Sequence, residues 1–516
     1  MTSPRPVDSL LRELPGASLV SGSPATPISS IEHDSRRVQP GSLFVAIPGF
    51  NVDGHTFLPS VVAAGASAIV VQRDRAAAWQ TLPPGPAVIA VDNTRAALAA
   101  AAAWFHGHPG RELTVIGITG TDGKTTTSHL LSSVLEATGA RVGRLGTVDV
   151  RIAGEEDSAT ERMTTPEATE VQRLLRRMAG AGCRYAIVES TSHGLALHRL
   201  DHVEYDVAVF TNITGDHLDF HETFEAYREA KGRLFAALDI AAPKKAPRAA
   251  VVNADDPSAN FMLERTHARP IRYGLESREA EVRATDLHLR ADGSNFELVT
   301  SSGSARTSIR LPAVFNVSNA LAAAAAGYAL GMETAAIARG LASCPGVPGR
   351  MERIEAGQPF DVVVDYAHTG DAVRKVLAVL RAVARGRVII VIGAAGERDP
   401  GRRFGVGRAA AEGADFAVFT NEDPRSEDPA AIVREIGRHA EGAGRVRGRD
   451  FIEVEDRRDA IAEAFRRAQG NDLVLVAGKG HEKSIVYAGG PLPWDDRDVA
   501  REELARLGYQ AGAATS

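Results

Sequence analysis

The stretch Gly117-Ile-Thr-Gly-Thr-Asp-Gly-Lys-Thr-Thr-Thr127 constrains this chain more than any other. It follows the apolar run Leu113–Ile118 and precedes the helix-like Ser128–Ala137, so it reads as a strand, a glycine loop and a helix N-terminus. Such a loop aims backbone N–H groups at a phosphate, and the helix dipole favours the same anion. Lys124 adds a point charge, and the Thr125 hydroxyl can ligate Mg²⁺. These residues imply a bound nucleoside triphosphate. Ile118 stands where the strict phosphate-loop pattern wants its first glycine, so the motif is a variant.

At 516 residues the chain exceeds one hydrophobic core, and at roughly 150 residues per domain about three domains are expected. Short apolar runs at Ser42–Ile47, Ala68–Val71 and Ala87–Val91, with Ala-rich helical patterns between them, predict a small first α/β domain over 1–108. Tyr185–Val188 and Val207–Phe210 alternate with helical patterns, which predicts a central domain over 109–345 with a mostly parallel sheet. After the break Cys344-Pro-Gly-Val-Pro-Gly-Arg350, the runs Asp361–Val364, Val388–Ile392, Phe416–Phe419 and Leu473–Val476 predict a Rossmann-like third domain over 346–516. Ala97–Phe105 and Ala320–Ala326 read as tightly packed helices.

Lys plus Arg number 59 against 65 Asp plus Glu, a net charge of −6, which argues against a nucleic-acid partner. No window is apolar enough to span a bilayer, and residues 1–25 lack a signal-peptide pattern. The two cysteines, Cys183 and Cys344, form no C-x-x-C pair and fit a reducing compartment, so a cytoplasmic protein is expected, acting as a monomer.

Two further segments carry chemistry. Val188-Glu-Ser-Thr-Ser-His-Gly-Leu195 ends a strand with a carboxylate, three hydroxyls and a histidine; the bland alternative is a polar loop with Glu189 solvated. Phe210-Thr-Asn-Ile-Thr-Gly-Asp-His-Leu-Asp-Phe-His221 follows another strand and concentrates Asp216, His217, Asp219 and His221. Beside a phosphate loop, such groups suit Mg²⁺, which prefers a few protein ligands plus phosphate and water. A zinc site competes, but no H-x-x-x-H helix or cysteine cluster supports it.

Gly120-Thr-Asp-Gly-Lys-Thr-Thr, Glu189-Ser-Thr-Ser-His-Gly, Thr211-Asn-Ile-Thr-Gly-Asp-His-Leu-Asp, Asp365-Tyr-Ala-His and Gly478-Lys-Gly-His-Glu482 resemble, in order, the motifs of the Mur ligases. The resemblance runs from about Ile31 to about Glu482 and is strongest to the branch that makes UDP-N-acetylmuramoyl-tripeptide. It accounts for Ile118, because the family loop does not require the early glycine. It implies a ligase that moves the ATP γ-phosphate onto a carboxylate and lets an amine attack the acyl phosphate, with Mg²⁺ as cofactor. By the same resemblance Gly120, Thr121, Asp122, Gly123, Lys124, Thr125, Thr126, Asn316, Asn319, Arg350 and Asp365 serve ATP. Thr125, Glu189, His217 and a carbamylated Lys231 hold the metal; Lys124, Glu189, His217, Lys231 and His368 are the catalytic set. Arg350, Asp365 and His368 resemble residues that close over ATP.

The resemblance also implies the substrates. Ser35, Phe50, Asn51 and Val52, with Thr164, Thr165, Thr191 and Arg199, match positions that bind UDP-N-acetylmuramoyl-L-alanyl-D-glutamate; Leu197 stands where some relatives carry a contacting glutamine. Arg398, Glu422, Asp423, Pro424, Arg425, Gly478 and Glu482 match positions that bind the incoming diamino acid. Enzymes specific for meso-diaminopimelate carry Asp-Asn-Pro-Arg where this chain has Glu422-Asp-Pro-Arg425. Arg425 favours an amino acid ending in an amino-carboxylate, whereas the Asp423 carboxylate favours the plain ammonium of lysine or ornithine. Diaminopimelate is the expected substrate, with L-lysine or L-ornithine as the alternative. More distant readings are a folylpolyglutamate-synthase-like ligase, which would lack a first domain of this kind, and a nucleotide-dependent regulatory protein without catalysis.

Overall fold

Strands covered on both faces must be apolar at every position, because successive side chains point to opposite sides. Val388–Ile392 and Leu473–Ala477 meet that condition: Ile390, Ile392, Leu473 and Leu475 enter one buried cluster, while Ile389, Val391, Val474 and Val476 enter another. The structure, a computed structural model, describes residues 4–50, 52–80, 82–157, 164–214, 218–290, 292–399 and 401–509. Its contacts separate two units, residues 1–285 with 298–305 and 318–343, and residues 286–297 with 306–317 and 344–516. The architecture is mixed α/β with mostly parallel sheets, as the sequence predicts.

Besides the short pair Arg5–Pro6 with Pro27–Ile28, the first unit carries two larger sheets. The smaller has the order Ser18–Ser21, Ala87–Val91, Ala68–Gln72, Ser42–Val45, Ser30–Glu32, parallel except for its first strand. The helix Thr94–Phe105 packs on it; Asn93 caps the helix by accepting from the Arg95 and Ala96 amides, and Ala97–Ala103 are buried. Alanine has high helix propensity and little bulk, so such a helix can approach its neighbours closely.

In the larger sheet, six parallel strands run in the order Val142–Leu145, Tyr185–Glu189, Thr114–Thr119, Val207–Phe210, Ala249–Asn253, Arg269–Gly274. Thr114–Thr119 comes first in sequence among these six yet lies inside the sheet, so the strand order reverses around it. The carboxyl ends of strands at such a switch point open a crevice for ligands. The loops emerging there are those after Thr119, Glu189 and Phe210, which carry three of the motifs.

The sheet of the second unit has the order Glu352–Arg353, Asp361–Asp365, Leu473–Ala477, Val388–Ile392, Phe416–Phe419, Phe451–Glu453, parallel after its first strand. Asp365-Tyr-Ala-His, Gly478-Lys-Gly-His and Glu422-Asp-Pro-Arg all leave from carboxyl ends of strands in this sheet. Strands not picked out from sequence include Val142–Leu145, Ala249–Asn253, Arg269–Gly274, Val282–Arg290, Gly293–Thr300, Gly303–Ile309, and the hairpin of Ser484–Tyr487 with Gly490–Pro493.

Candidate active site

The glycine loop is locked by what surrounds it. Gly123 has φ +86° and precedes the helix Lys124–Glu136; a Cβ there would stand 2.2 Å from Asn319 Oδ1. At Gly120 a Cβ would stand 1.8 Å from the Thr211 hydroxyl. Only glycine fits either place, and the fit sets Asn319 against the loop. The Thr121 and Asp122 amides donate to the Asn212 carbonyl (2.8 Å) and to its Oδ1 (3.0 Å), so the loop after Phe210 clamps the glycine loop. Lys124 Nζ curls back onto the Gly120 and Thr121 carbonyls at 2.9 and 2.8 Å.

Glu189 is 1 % exposed, which rules out the solvated-loop reading. Its Oε2 accepts from the hydroxyls of Thr125 and Thr147, both at 2.9 Å, and its Oε1 from Ser128 Oγ and the Thr147 amide, both at 3.3 Å. Gly146 makes room, since a Cβ there would lie 2.2 Å from Oε1. These donors are neutral, and a buried carboxylate is costly without a balancing cation. The Thr125–Glu189 pair therefore suits a hard divalent ion that takes oxygen ligands.

Lys231, also 1 % exposed, projects from the helix Phe224–Ile240. Its Nζ donates to the Gly120 carbonyl at 2.8 Å and lies 4.3 Å from the centre of the Tyr227 ring, whose hydroxyl is 3.0 Å from Thr121 Oγ1. Lys124 and Lys231 thus direct their amines at one carbonyl oxygen. His217 and Asn51 lie outside the described residues.

Beside Glu189 the hydroxyls form a chain. Thr165 Oγ1 donates to the Glu189 carbonyl at 3.0 Å, Thr191 donates to Thr165 at 3.0 Å, and Thr164 lies 3.0 Å from Thr147. Arg199 donates to the Thr165 carbonyl at 3.1 Å and pairs with Glu167 at 2.5 Å. Ser35 opens a short 3₁₀ turn whose cap, Asp34, accepts from the Arg36 amide. Phe50 is 74 % exposed at a turn closed by the Gly49 amide on the Val52 carbonyl. Its ring meets Phe220 edge-on at 5.8 Å, and Phe220 stacks on His193 at 4.2 Å.

In the second unit, buried Asp365 accepts from the Met351 amide (2.7 Å) and the Ala367 amide (2.8 Å). Burial pushes its carboxyl up, and Arg350 with the two amides pulls it back. Tyr366 lies between Arg350, 4.7 Å from its ring centre, and the His368 and His481 rings at 4.7 and 4.9 Å; burial pushes its phenol up to about 12. Asn316 donates to the Pro312 carbonyl at 2.7 Å.

The amino-acid motif surrounds a buried charged cluster. Glu422 is pushed up to about 7, first by burial, with Arg457 and Lys479 opposing. A Cβ on Gly478 would stand 2.8 Å from its Oε2. Arg457 is fully buried and pairs with Asp496 through two bonds at 2.8 and 2.7 Å. Arg425 has φ +57° and its amide donates to the Val486 carbonyl at 2.9 Å. The Gly396 amide donates to the Asp423 carbonyl at 2.8 Å, which brings the loop bearing exposed Arg398 alongside Pro424. Asp423 is already paired within the fold: Oδ1 accepts from Lys479 Nζ at 2.7 Å and the Val486 amide at 2.9 Å. Lys479 also pairs with Glu482 at 2.5 Å.

Sequence reasoning did not single out Ser128, Thr147, Tyr227 or Lys479. Ser128 stands one helical turn after Thr125, and Lys479 lies inside a quoted motif, so both carried a signal. Thr147 carried none.

Family models match this chain in three places: "Mur ligase family, catalytic domain" over 27–106, "Mur ligase middle domain" over 118–327, and "Mur ligase, glutamate ligase domain" over 349–480. A UDP-N-acetylmuramyl-tripeptide synthetase of Roseiflexus sp. is 48 % identical over 94 % of this chain and 96 % of its own. A UDP-N-acetylmuramoyl-L-alanyl-D-glutamate–2,6-diaminopimelate ligase of Geobacillus kaustophilus is 40 % identical over 97 % of this chain and 99 % of its own. A solved structure of a ligase with the same name superposes with a TM-score of 0.68 at 29 % identity, covering 98 % of this chain and 100 % of that one. The fold and site define an ATP-dependent ligase that forms amide bonds. The chain belongs to the Mur ligase family.

Proposed function

We propose that this ligase is a tripeptide synthetase, which joins a diamino acid, meso-diaminopimelate in preference to lysine or ornithine, to the D-glutamate of UDP-N-acetylmuramoyl-L-alanyl-D-glutamate. The observation that carries the reading is the junction of Thr125, Glu189, Lys124 and Lys231 at the glycine loop. A substrate carboxylate oxygen attacks the γ-phosphorus and ADP leaves; the amine then attacks the acyl carbon, loses a proton and expels phosphate. Phosphoryl transfer of this kind depends on positioning and on spreading negative charge. The loop amides and Lys124 serve that purpose, with Gly120, Thr121, Asp122, Gly123, Thr126 and Asn319 shaping the phosphate site. Asn316, Arg350, Asp365 and His368 would contact the nucleotide, as the family resemblance implies.

Mg²⁺, held by Thr125, Glu189, His217 and Lys231 as its carbamate, would neutralise phosphate charge. Lys231 is buried and aimed at the same carbonyl oxygen as Lys124. Carbamylation would turn it from a cation into an anion able to ligate Mg²⁺ beside the phosphate loop.

Ser35, Phe50, Asn51 and Val52 would take the uridine diphosphate end, and Thr164, Thr165, Thr191 and Arg199 the dipeptide arm. Arg398, Glu422, Asp423, Pro424, Arg425, Gly478 and Glu482 would take the amino acid. The corresponding functional domains are 1–108, 109–345 and 346–516. Two buried, unbridged cysteines fit a reducing cytoplasm, and we assign a monomer there. Among the described residues no helix is long and apolar enough to cross a membrane. The test is ATP-dependent ligation of UDP-N-acetylmuramoyl-L-alanyl-D-glutamate with meso-diaminopimelate, L-lysine and L-ornithine separately. Tripeptide with diaminopimelate supports the reading; no product with any of the three overturns it.

A further inference from the structure

Lys479 is one of the most deeply buried cations in the second unit, 1 % exposed, yet it stands among carboxylates that line the proposed amino-acid site. Its Nζ reaches Asp423 Oδ1 at 2.7 Å and Glu482 Oε2 at 2.5 Å, and so joins the loop after Phe416–Phe419 to the loop after Leu473–Ala477. The Val486 amide supplies a second donor to the same Asp423 oxygen. Meanwhile Glu422 Oε2 and Arg425 Nε are buried without a hydrogen-bond partner among the described residues. Buried polar atoms of that kind call for a ligand or water to complete them.

We propose that Lys479 sets amino-acid specificity by masking the charge of Asp423. It is a positioning residue and makes no bond to substrate itself. An unmasked Asp423 carboxylate would repel the distal carboxylate of a diaminopimelate-type side chain and attract a plain ammonium. With Lys479 in place, the Asp423 charge is offset by the ammonium it shares with Glu482 and by the Val486 amide, and Arg425 remains to pair with a distal carboxylate. An acid–lysine pair in this chain thus takes the place of the neutral amide at that position in enzymes specific for diaminopimelate. The inference rests on the ligase reading above and deepens its account of the incoming amino acid.

The test uses the full-length enzyme with ATP and UDP-N-acetylmuramoyl-L-alanyl-D-glutamate. The quantity read is the ratio of kcat/KM for meso-diaminopimelate to that for L-lysine. Lys479→Met should lower this ratio by about tenfold or more, since setting like charges side by side costs several kcal/mol. Adding Asp423→Asn to Lys479→Met should return it to within about threefold of wild type, because the charge to be masked has gone. A clasp that only holds two loops together would depress both amino acids alike and leave the ratio where it was, and that outcome overturns the inference. So does a double variant that stays as shifted as Lys479→Met, or a wild type that ligates lysine and rejects diaminopimelate. Should Lys479→Met fail to fold, Asp423→Asn alone decides: the uncovered Lys479 ammonium should raise the ratio several-fold, and an unmoved ratio overturns the inference. A wild type that ligates neither amino acid refutes the ligase reading itself, whereas ligation with an unmoved ratio refutes only the role of Lys479.

Discussion

Glu422→Gln should make the protein more stable at alkaline pH while changing it little in acid. Burial raises the Glu422 carboxyl from an ordinary 4.5 to about 7. Below pH 4.5 the group is protonated in both folded and unfolded chains, and its contribution is fully present. As pH rises the unfolded chain loses the proton first, so stability falls until the folded carboxyl also ionises near pH 7 and then levels off. While only the unfolded chain is ionised, each step of one in pH costs about 1.36 kcal/mol, which comes to about 2.5 kcal/mol between pH 5 and pH 8. Glutamine keeps the shape and never ionises. Urea denaturation of wild type and Glu422→Gln at pH 5 and pH 8 measures the difference directly. The variant should gain about 2.5 kcal/mol on wild type between these pH values, or about 5–10 °C in melting temperature for a domain of this size. Identical pH profiles would show that Glu422 titrates as an exposed acid and that the burial argument is wrong.

Lys231→Ala should remove most ligation, and a short-chain carboxylic acid should restore part of it by supplying the missing anion; full activity in the variant refutes the carbamate. Gly123→Ala adds a Cβ 2.2 Å from Asn319 Oδ1 at φ +86°, and should raise the KM for ATP by about tenfold, from roughly 1–2 kcal/mol of left-handed strain. An unchanged KM for ATP would mean that the loop can rearrange around the methyl group. Arg457→Met leaves Asp496 buried and uncompensated and should cost about 3–5 kcal/mol in urea denaturation; Asp496→Leu added to it should recover part of that loss, and no recovery would argue against an electrostatic cause. Phe50→Ala, by removing an exposed ring edge-on to Phe220, should raise the KM for the UDP substrate with little effect on the KM for ATP; equal effects on both would place Phe50 elsewhere in the mechanism.

The parts of the fold that were legible are those where one local rule decides. Val207–Phe210, Val388–Ile392 and Phe416–Phe419 are continuous apolar runs, and the strands match them residue for residue. Val282–Arg290 went unnoticed because it is mostly exposed and mixes Arg, Asp and His, so neither apolar run nor alternation marks it. In the site, Glu189 and Lys124 were readable from motif and loop chemistry, whereas the environment of Glu189 was not. Thr147 reaches that carboxylate from a separate strand end, and nothing in its neighbours announces the contact. Asp423 shows the limit most clearly. Its charge is visible in sequence, but its effect depends on Lys479, 56 residues further on, whose partner only the folded chain reveals.

The most direct test of the account follows oxygen through the reaction. If the D-glutamate carboxylate takes the γ-phosphoryl group before the amine attacks, the phosphate released must carry one oxygen from that carboxylate. Substrate labelled with ¹⁸O in the D-glutamate side-chain carboxylate, incubated with ATP, Mg²⁺ and diaminopimelate, should give tripeptide and phosphate containing a single ¹⁸O by mass spectrometry. Tripeptide accompanied by unlabelled phosphate would contradict the acyl-phosphate route and the role assigned to Lys124, Glu189 and Lys231.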